Sequence, residues 1–381
     1  MGVATQGLTE AFARRWVRAD GARVLRGPGR VNLIGEHTDY NLGFVLPMAL
    51  EMAAFVAAAP NPSGRIRVYS ENLDRSAERP VTGLADAAPA RDWSDYVFGV
   101  AQQLVRAGFE ITGADLYIRS TVPVGSGLSS SAALETSTAL ALLDGRAMDK
   151  LELVKLCRRA ENEFVGMPCG IMDQYISVFG CAGAAVRIDC RSLEHEIAPL
   201  PADVVIYAVN TMVKHDLGAS EYPNRVRECR EAADALGVAS LRDATMEHFE
   251  AMQGRIAPVP RKRARHVIGE DARVGAFMAA AREGDLARMG ELFVASHRSL
   301  ARDYEVSCEE LDFLVDSALA IEGVYGARMT GGGFGGCTVN LVRPDAAERF
   351  KEEIAARYNQ RFAINPQIYE CRPADGAGEV D

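Results

Sequence analysis

The feature that most constrains the fold is a segment rich in glycine and serine, VPVGSGLSSSAALE, at residues 122–135. It begins at the proline-bounded end of an apolar strand pattern, passes through two glycines and three serines, and ends in residues that favour a helix. The segment therefore predicts a strand, a tight loop and a helix whose first amide groups are exposed. Amides at a helix start, aided by the helix dipole, bind phosphate well.

The same segment has a simpler interpretation as a helix cap. Serine is a favoured N-cap residue, and glycine-rich turns precede many helices. Three consecutive serines exceed what a cap needs, which favours a phosphate site. The segment lacks the GxxxxGK[ST] spacing of a Walker loop and the GxSxG spacing of a nucleophile elbow. We therefore expect a phosphate-binding loop of another type, and we call residues 125–131 the phosphate loop.

Chain length and composition predict two domains. The chain has 381 residues, which exceeds one ordinary hydrophobic core, and its 48% hydrophobic and 25% charged residues are typical of a globular protein. Helical and strand patterns follow each other without a regular βαβ rhythm, which favours an α+β architecture with an active site in the cleft between the domains. Prolines at 199 and 201 indicate a linker, so we predict domains at residues 1–198 and 199–381.

Two local patterns lead to more specific expectations. Residues 52–59 and 66–70 have strand character and are joined by Asn61-Pro62-Ser63-Gly64, a sequence with strong turn chemistry, so we predict a β-hairpin. The one dense basic run, RKRARH at residues 261–266, sends neighbouring side chains to different sides of a helix. We interpret this run as a solvated helix face.

Charge and cysteine content exclude several classes of protein. The formal net charge of −10 argues against nucleic acid as a partner, because binding a phosphate backbone needs clustered Lys and Arg. Eight cysteines occur without CxxC spacing, which favours reduced thiols in the cytoplasm. No run of 18 uncharged apolar residues is present, so we expect no membrane span. We expect a monomer, with an oligomer left open.

A run of polar side chains follows an apolar strand pattern near the start of the chain. After residues 31–34, the sequence GEHTDYN presents two carboxylates, an imidazole, hydroxyls and an amide in succession. A polyol offers several hydroxyls that donate and accept hydrogen bonds, so such a set on one turn can recognise each of them separately. The alternative is a polar turn formed by Asp39 and Asn41. We call residues 35–41 the polar segment.

Two further carboxylates lie close together in the sequence. Glu161 is near the end of a predicted helix, and Asp173 follows a short break, MPCG, in the first turn of the next helix. Glu161 has the alternative interpretation of a solvated side chain, and Asp173 that of an acid stabilising a helix start. Phosphoryl transfer needs charge neutralisation and an oriented hydroxyl, which such carboxylates can serve.

A second glycine-rich stretch, ARMTGGGFGGCTVNL, occupies residues 327–341. Its five glycines around Phe334 precede a strand pattern, which allows the backbone to pass close to another surface or to a ligand. A tight β-turn is the simpler interpretation. We call residues 331–336 the glycine turn.

The segment at residues 122–135 resembles the second motif of the GHMP kinases, and residues 327–341 resemble the third. The resemblance implies the two-domain GHMP kinase fold, ATP as phosphate donor and Mg²⁺ as metal ion, with Ser131 and Glu161 as its ligands. Ser70 resembles a nucleotide-contacting position of the family. The implied contacts of the ATP phosphates are Gly125, Ser126, Gly127, Leu128, Ser129, Ser130 and Ser131.

Residues 29–47, GRVNLIGEHTDYNLGFVLP, resemble the signature of the galactokinases within that family. The stretch MPCGIMDQYISVFG resembles the segment whose aspartate takes the proton of the anomeric hydroxyl, which makes Asp173 the implied base. Arg30 is its expected partner, since a guanidinium there would keep the carboxylate ionised and offset charge on the phosphoryl group. The implied contacts of galactose are Glu36, His37, Thr38, Asp39, Gly170 and Tyr222.

The resemblance implies a kinase that transfers the γ-phosphate of ATP to the 1-hydroxyl of D-galactose, giving galactose 1-phosphate and ADP in the Leloir pathway of galactose metabolism. Kinases of the same family that act on arabinose or N-acetylgalactosamine are alternatives, since one sugar substituent alters only the pocket wall. A different class, the non-catalytic transcriptional sensors that bind galactose and ATP, also resembles the chain. The retained Ser131-Ala132 pair and Asp173 favour an enzyme.

Overall fold

The computed structural model describes residues 5–17, 22–214 and 218–380 of the chain. Its α-helices are α1 Leu8–Trp16, α2 Asp95–Arg106, α3 Ser130–Leu143, α4 Lys150–Arg159, α5 Met172–Phe179, α6 Gly218–Leu236, α7 Met246–Met252, α8 Pro258–Glu283, α9 Leu286–Ser299, α10 Glu309–Leu319 and α11 Ala347–Phe362. Its strands are β1 Arg23–Asn32, β2 Phe44–Val45, β3 Pro47–Pro60, β4 Arg65–Ser70, β5 Arg75–Pro80, β6 Ala114–Ser120, β7 Ala184–Asp189, β8 His195–Pro199, β9 Val205–Lys214, β10 Val324–Thr330, β11 Gly335–Val342, β12 Gln367–Glu370 and β13 Gly378–Val380. A π-helical turn, Ala160–Val165, directly follows α4.

The largest sheet has six strands in the order β13-β1-β3-β6-β4-β5. The predicted hairpin of residues 52–59 and 66–70 is wrong, because β6 lies between β3 and β4. β6 is antiparallel to β3 and parallel to β4. The turn residues at 61–64 do separate two strands, since β3 ends at Pro60 and β4 begins at Arg65. Turn chemistry reverses a chain locally, but it does not decide which strand occupies the neighbouring position.

The helix that follows the phosphate loop packs directly on this sheet. α3 lies against β1 and β3, and even its polar residues Thr136, Ser137 and Thr138 are fully buried. Close approach depends on Gly27 of β1, where a Cβ atom would lie 2.2 Å from the carbonyl oxygen of Ala133. The start of α3 is therefore held against the strand that carries Arg30.

Two smaller antiparallel sheets complete the fold. One has the order β10-β11-β9-β12 and the other β2-β7-β8, and α9 packs on β10. One hydrophobic cluster joins the two larger sheets, with Val31 and Met48 from the first and Phe277, Phe293 and Val339 from the second and its helices. Because the two larger sheets share this core, loops from both sheets meet at one place.

The predicted domain boundary falls in a connection between two sheets. β8 ends at Pro199, and β9 begins the next sheet at Val205. Strand β13 returns from the end of the chain to pair with β1, Val380 opposite Val24. A domain boundary between residues 198 and 199 stays a prediction. Strand β13, although it follows this boundary, belongs to the six-stranded sheet.

The basic run at residues 261–266 is only partly a solvated helix face. It lies in α8, where Arg263 is 3% exposed and His266 is fully buried. Arg263 forms ion pairs with Glu228 at 2.7 Å and Glu305 at 2.8 Å. The prediction was wrong for these two side chains, because Arg263 pairs with acidic partners and the His266 ring lies within hydrogen-bond distance of the Ser299 hydroxyl and the Glu36 carbonyl oxygen.

All eight cysteines are free, in agreement with the expected reduced thiols. Among the residues described above, no helix is both long enough and apolar enough to cross a lipid bilayer.

Candidate active site

A cavity of about 520 Å³ lies where loops of the first and second sheets meet. The phosphate loop and the glycine turn both line it. A smaller cavity of about 150 Å³ adjoins it and is lined by the polar segment and Gly170. Residues common to both cavities are Arg30, His37, Pro168, Asp173, Tyr222 and Gly332. Ligands in the two cavities would therefore meet beside Arg30 and Asp173.

The pair at this junction has well-defined geometry. Arg30 Nε donates to Asp173 Oδ1 at 2.8 Å, and its Nη2 donates to Oδ2 at 2.7 Å. The Ser129 hydroxyl also donates to Asp173 Oδ2. Arg30 Nη1 donates to the carbonyl oxygen of Gly127 at 2.5 Å. A bidentate guanidinium contact fixes the plane of the carboxylate, so Asp173 is oriented from two sides.

The phosphate loop presents backbone to the larger cavity. Gly125, Gly127 and Ser129 all have left-handed backbone conformations, with φ of 75°, 78° and 60°. A Cβ atom at either glycine would meet nothing within 4 Å, so both face open space. α3 begins directly afterwards at Ser130. The loop and the helix start agree with the predicted phosphate-binding arrangement, and phosphate binding itself stays a prediction.

Five of the seven predicted loop residues line the larger cavity, namely Gly125, Gly127, Ser129, Ser130 and Ser131. The other two pack beneath the loop. The Ser126 hydroxyl donates to the carbonyl oxygen of Pro123 at 2.8 Å, and both Ser126 and Leu128 are fully buried. Their side chains therefore do not face the cavity, because alternate residues of a tight loop point inward to fill the space under it. Their predicted contact with the ATP phosphates stays a prediction.

Ser131 lines the larger cavity, and the buried Glu161 carboxylate lies near it. Glu161 lies in the π-helical turn after α4 and is 7% exposed. Burial and the Asp173 carboxylate raise the pKa of Glu161, and hydrogen bonds from Ser131, Cys169 and Gln174 oppose that shift. A cation beside the carboxylates would relieve the same repulsion. The interpretation of Glu161 as a solvated side chain is wrong.

The polar segment contributes three of its four predicted sugar contacts to the smaller cavity: Glu36, His37 and Asp39. Thr38 is the exception, because its hydroxyl lies 2.9 Å from the carbonyl oxygen of Gly35 and 2.7 Å from that of Phe44. It is fully buried. This position does not support the predicted sugar contact of Thr38, and its hydroxyl instead closes the turn that presents its neighbours.

Asp39 is held against Gly170 on the far side of the smaller cavity. A Cβ atom at Gly170 would lie only 1.5 Å from Asp39 Oδ2, so the carboxylate occupies the space of a missing side chain. Burial, followed by the negative charges of Asp173 and Glu36, raises the pKa of Asp39 to about 6. A desolvated carboxylate of this kind gains from hydroxyl donors.

His37 belongs to an aromatic group behind the polar segment. Its Nδ1 lies 2.9 Å from the Tyr40 hydroxyl, which lies 2.6 Å from the Tyr304 hydroxyl. His37 Nε2 is buried without a partner among the described residues. Burial lowers the pKa of His37 to about 3, so the ring is neutral. Tyr222 packs edge-on against Tyr40, with ring centroids 5.0 Å apart.

Glu36 links the polar segment to the glycine turn. Its Oε1 accepts hydrogen bonds from the Thr330 hydroxyl at 3.0 Å and the Gly331 amide at 2.9 Å. Arg328 Nη2 lies 3.4 Å from the same oxygen. The glycine turn also approaches the phosphate loop, since a Cβ at Gly336 would lie 3.5 Å from the carbonyl oxygen of Ser126. The second glycine-rich segment thus shapes the cavity beside the phosphate loop, as predicted.

The structure does not bring Ser70 to either cavity. Ser70 ends β4, is 5% exposed, and pairs with Arg75 and Ile118 in the first sheet. Its predicted nucleotide contact is not supported by this position.

Several residues of the site had no role in the sequence interpretation. Thr330 and Arg328 lie within the quoted stretch ARMTGGG, so proximity to the glycines was an available signal. Gln174 likewise lies next to Asp173 within the stretch MPCGIMDQYISVFG. Tyr304 is different, because a single tyrosine in a helical pattern carries no motif, and only tertiary contacts bring it to the site.

Comparison with known proteins supports the resemblance to the GHMP kinases and, among them, to the galactokinases. Residues 10–60 match the galactokinase galactose-binding signature, residues 95–181 the GHMP kinases N terminal domain, and residues 277–360 the GHMP kinases C terminal domain. A galactokinase of Homo sapiens is 45% identical over 96% of this chain and 95% of its own length. A galactokinase of Roseiflexus sp. (strain RS-1) is 43% identical over 94% and 93%.

Solved structures agree. The crystal structure of Lactococcus lactis galactokinase complexed with galactose has a TM-score of 0.94 and 36% identity, covering 98% of this chain and 99% of that one. Methanococcus jannaschii mevalonate kinase, at 19% identity and a TM-score of 0.65, shows the fold alone over 93% of this chain and 99% of that one. With a matching α+β fold, matching domain signatures and near full-length relatives, the chain belongs to the galactokinase family of the GHMP kinases.

Proposed function

We propose that the protein transfers the γ-phosphoryl group of ATP to the anomeric 1-hydroxyl of D-galactose, giving galactose 1-phosphate and ADP. The observation that carries this proposal is the meeting of two cavities at Asp173 and Arg30, one lined by the phosphate loop and the other by the polar segment. Relatives named galactokinase over nearly the whole chain support it.

Asp173 is the proposed base or orienting group for the sugar hydroxyl. Its carboxylate is held by Arg30 and Ser129 at the junction, where an acceptor hydroxyl and a phosphoryl group would approach each other. A loose transition state demands little activation of the nucleophile, so Asp173 can act by taking the proton or by holding the hydroxyl in line. Arg30 is also a cation close to where charge develops on the phosphoryl oxygens.

Mg²⁺ is the proposed metal ion, with Ser131 and Glu161 as its protein ligands. The donor set fits this ion, since it offers a hydroxyl and a buried carboxylate whose repulsion with Asp173 a cation would relieve. Among the described residues no group of three or more His, Cys, Asp or Glu forms a metal cage. Mg²⁺ typically takes few protein ligands and completes its shell with phosphates and water. When bound, it would neutralise charge on the ATP phosphates.

Galactose is the proposed acceptor because the smaller cavity offers several distinct polar groups. Asp39 and Glu36 supply carboxylates, and His37 supplies the unpartnered Nε2. Gly170 leaves room for Asp39, and the Tyr222 ring forms one wall. Each group can form a hydrogen bond to a hydroxyl of a polyol, which supports a sugar over an apolar acceptor.

A coupled assay of ADP release tests the function. It compares galactose, glucose, N-acetylgalactosamine, arabinose and mevalonate, each with ATP and Mg²⁺. We expect turnover with galactose well above the others. Turnover of arabinose or N-acetylgalactosamine alone would reassign the acceptor, and turnover of none would contradict the proposal and favour a non-catalytic sensor.

The Asp173→Asn variant tests the chemical role. We expect it to retain galactose binding while kcat falls by roughly 10²- to 10⁴-fold, the usual contribution of a positioned acid or base. Isothermal titration measures the binding and the ADP assay the rate. Full activity in this variant would remove Asp173 from the reaction.

The compartment and the oligomeric state stay predictions. Eight free cysteines support a reducing compartment such as the cytoplasm, and size-exclusion chromatography with light scattering would test the expected monomer.

A further inference from the structure

Gln174 joins two buried carboxylates next to the site. It follows Asp173 on α5 and is fully buried. Its side-chain nitrogen donates to Glu135 Oε2 at 3.0 Å and to Glu161 Oε2 at 2.6 Å. An amide nitrogen carries two hydrogens, so one group can serve both acceptors. Glu135 of α3 and Glu161 of the π-helical turn are thereby held together through α5.

A second donor approaches the same oxygen of Glu161. The Cys169 thiol lies 3.4 Å from Glu161 Oε2, the oxygen that also receives the Gln174 amide. A carboxylate held by donors at one oxygen has a fixed plane and keeps the other oxygen for a different partner. The Ser131 hydroxyl, the second candidate metal ligand, is close enough to Glu161 to lower the pKa of that carboxyl group.

We propose that Gln174 is a positioning residue for the cation, fixing the Glu161 carboxylate through Oε2 so that it binds the metal in one orientation. This inference rests on the proposed function, in which Glu161 and Ser131 hold Mg²⁺. Groups that hydrogen-bond to a metal ligand orient it, and their loss typically weakens metal binding by about 10- to 100-fold. Gln174 reaches Glu161 from a different element, so it couples α5 and Asp173 to the metal ligand.

A purely structural role explains the arrangement less well. Glu135 Oε1 and Gln174 Oε1 are buried without hydrogen-bond partners among the described residues. Unpaired buried polar atoms destabilise a core, and apolar side chains of similar volume would pack there without that cost. A polar bridge that is unfavourable for stability alone is the kind of feature that functional sites retain.

The test is the affinity of Mn²⁺, used as a paramagnetic probe for the metal site, in the complex of the enzyme with galactose and a non-hydrolysable ATP analogue. Gln174→Met removes both donors while keeping side-chain volume. We expect the Mn²⁺ Kd, measured by electron paramagnetic resonance, to rise about tenfold or more. Galactose affinity without nucleotide should stay within twofold of the wild type.

Ser177→Ala is the matched control. Ser177 lies on the same helix, is buried, and loses hydrogen bonds to Thr136 and to the carbonyl oxygen of Pro28 when truncated. It has no contact with Glu161, so Mn²⁺ affinity should remain at the wild-type value. If Gln174→Met does not fold, Cys169→Ala removes the other donor to Oε2, and we expect a measurable but smaller loss of Mn²⁺ affinity, because a thiol is a weak hydrogen-bond donor.

Two results would overturn the inference. The first is a folded Gln174→Met variant whose Mn²⁺ Kd stays within twofold of the wild type, or is matched by Ser177→Ala. The second is an unchanged Mn²⁺ Kd in Glu161→Ala, which would also remove Glu161 as a proposed metal ligand. Failure of the proposed kinase function is distinguishable from both, because it appears as absent ADP release in the wild type.

Discussion

Replacing Gly170 by alanine should displace the carboxylate of Asp39. The new Cβ atom would lie 1.5 Å from Asp39 Oδ2 and 2.5 Å from its Cγ, whereas real Cβ atoms essentially never approach another heavy atom within 3.0 Å. The carboxylate must therefore retreat by about 1.5 Å. The backbone of Gly170 is not in the left-handed region, so alanine is permitted there and the effect is confined to this contact.

The size of the effect on the galactose Kd follows from the strength of the hydrogen bonds that Asp39 would lose. A hydrogen bond to a charged group contributes about 1.5–3 kcal/mol, and each 1.4 kcal/mol is a factor of ten in Kd. A shift of this size would break at least one of the proposed hydrogen bonds between Asp39 and a sugar hydroxyl. We expect the galactose Kd of Gly170→Ala to rise roughly 10- to 100-fold. Nucleotide affinity should not change, because Asp39 does not line the larger cavity.

Isothermal titration with galactose, and separately with an ATP analogue, measures both quantities. Gly275→Ala in α8 is the control, since a Cβ there would meet nothing within 4 Å. Its galactose affinity should equal that of the wild type. One result would refute this reasoning: a Gly170→Ala variant with an unchanged melting temperature and a galactose Kd within twofold of the wild-type value. Asp39 would then not bind the sugar from its place beside Gly170.

Two further outcomes test the electrostatics of the site. The pKa of Asp39 is raised to about 6, so this group is neutral below that pH, and galactose affinity should weaken as pH falls from 7 to 5. The His37 ring, with a pKa of about 3, does not titrate in this range. An Asp39→Asn variant should therefore bind galactose with an affinity that does not change between pH 7 and 5. The same pH dependence in that variant as in the wild type would exclude Asp39 as its cause. Arg328→Met should lower the free energy of unfolding by about 3–5 kcal/mol, since Glu36 loses its buried cationic neighbour and the carbonyl oxygen of Leu33 loses its donor. Urea denaturation measures this, and a loss below about 1 kcal/mol would contradict it.

Local patterns predicted the phosphate loop well because its information is local. β6 ends at Ser120 and α3 begins at Ser130, as the apolar alternation, the glycines and the serines indicate. The left-handed conformations of Gly125 and Gly127 follow from the same residues. What the pattern could not reveal is that Ser126 and Leu128 point into the core. Side-chain direction in a loop depends on what packs beneath it.

The polar segment shows the same difference between what local residues predict and what packing decides. Its composition predicted a set of hydroxyl-binding groups, and Glu36, His37 and Asp39 do line one cavity. Thr38 has equally suitable chemistry, but its hydroxyl is engaged with the carbonyl oxygens of Gly35 and Phe44. A list of residue types in sequence order cannot separate a side chain that closes a turn from one that the turn presents.

The sequence by itself determined the family and the local elements, because motifs, turn residues and apolar spacing act over a few neighbouring residues. Tertiary structure alone decided that β6 separates β3 and β4, that β13 returns to β1, and that Gln174 bridges Glu135 and Glu161. The physical reason is that these pairings join residues far apart in the chain. Their free energy depends on which surfaces meet in the folded core, and no local propensity records that choice.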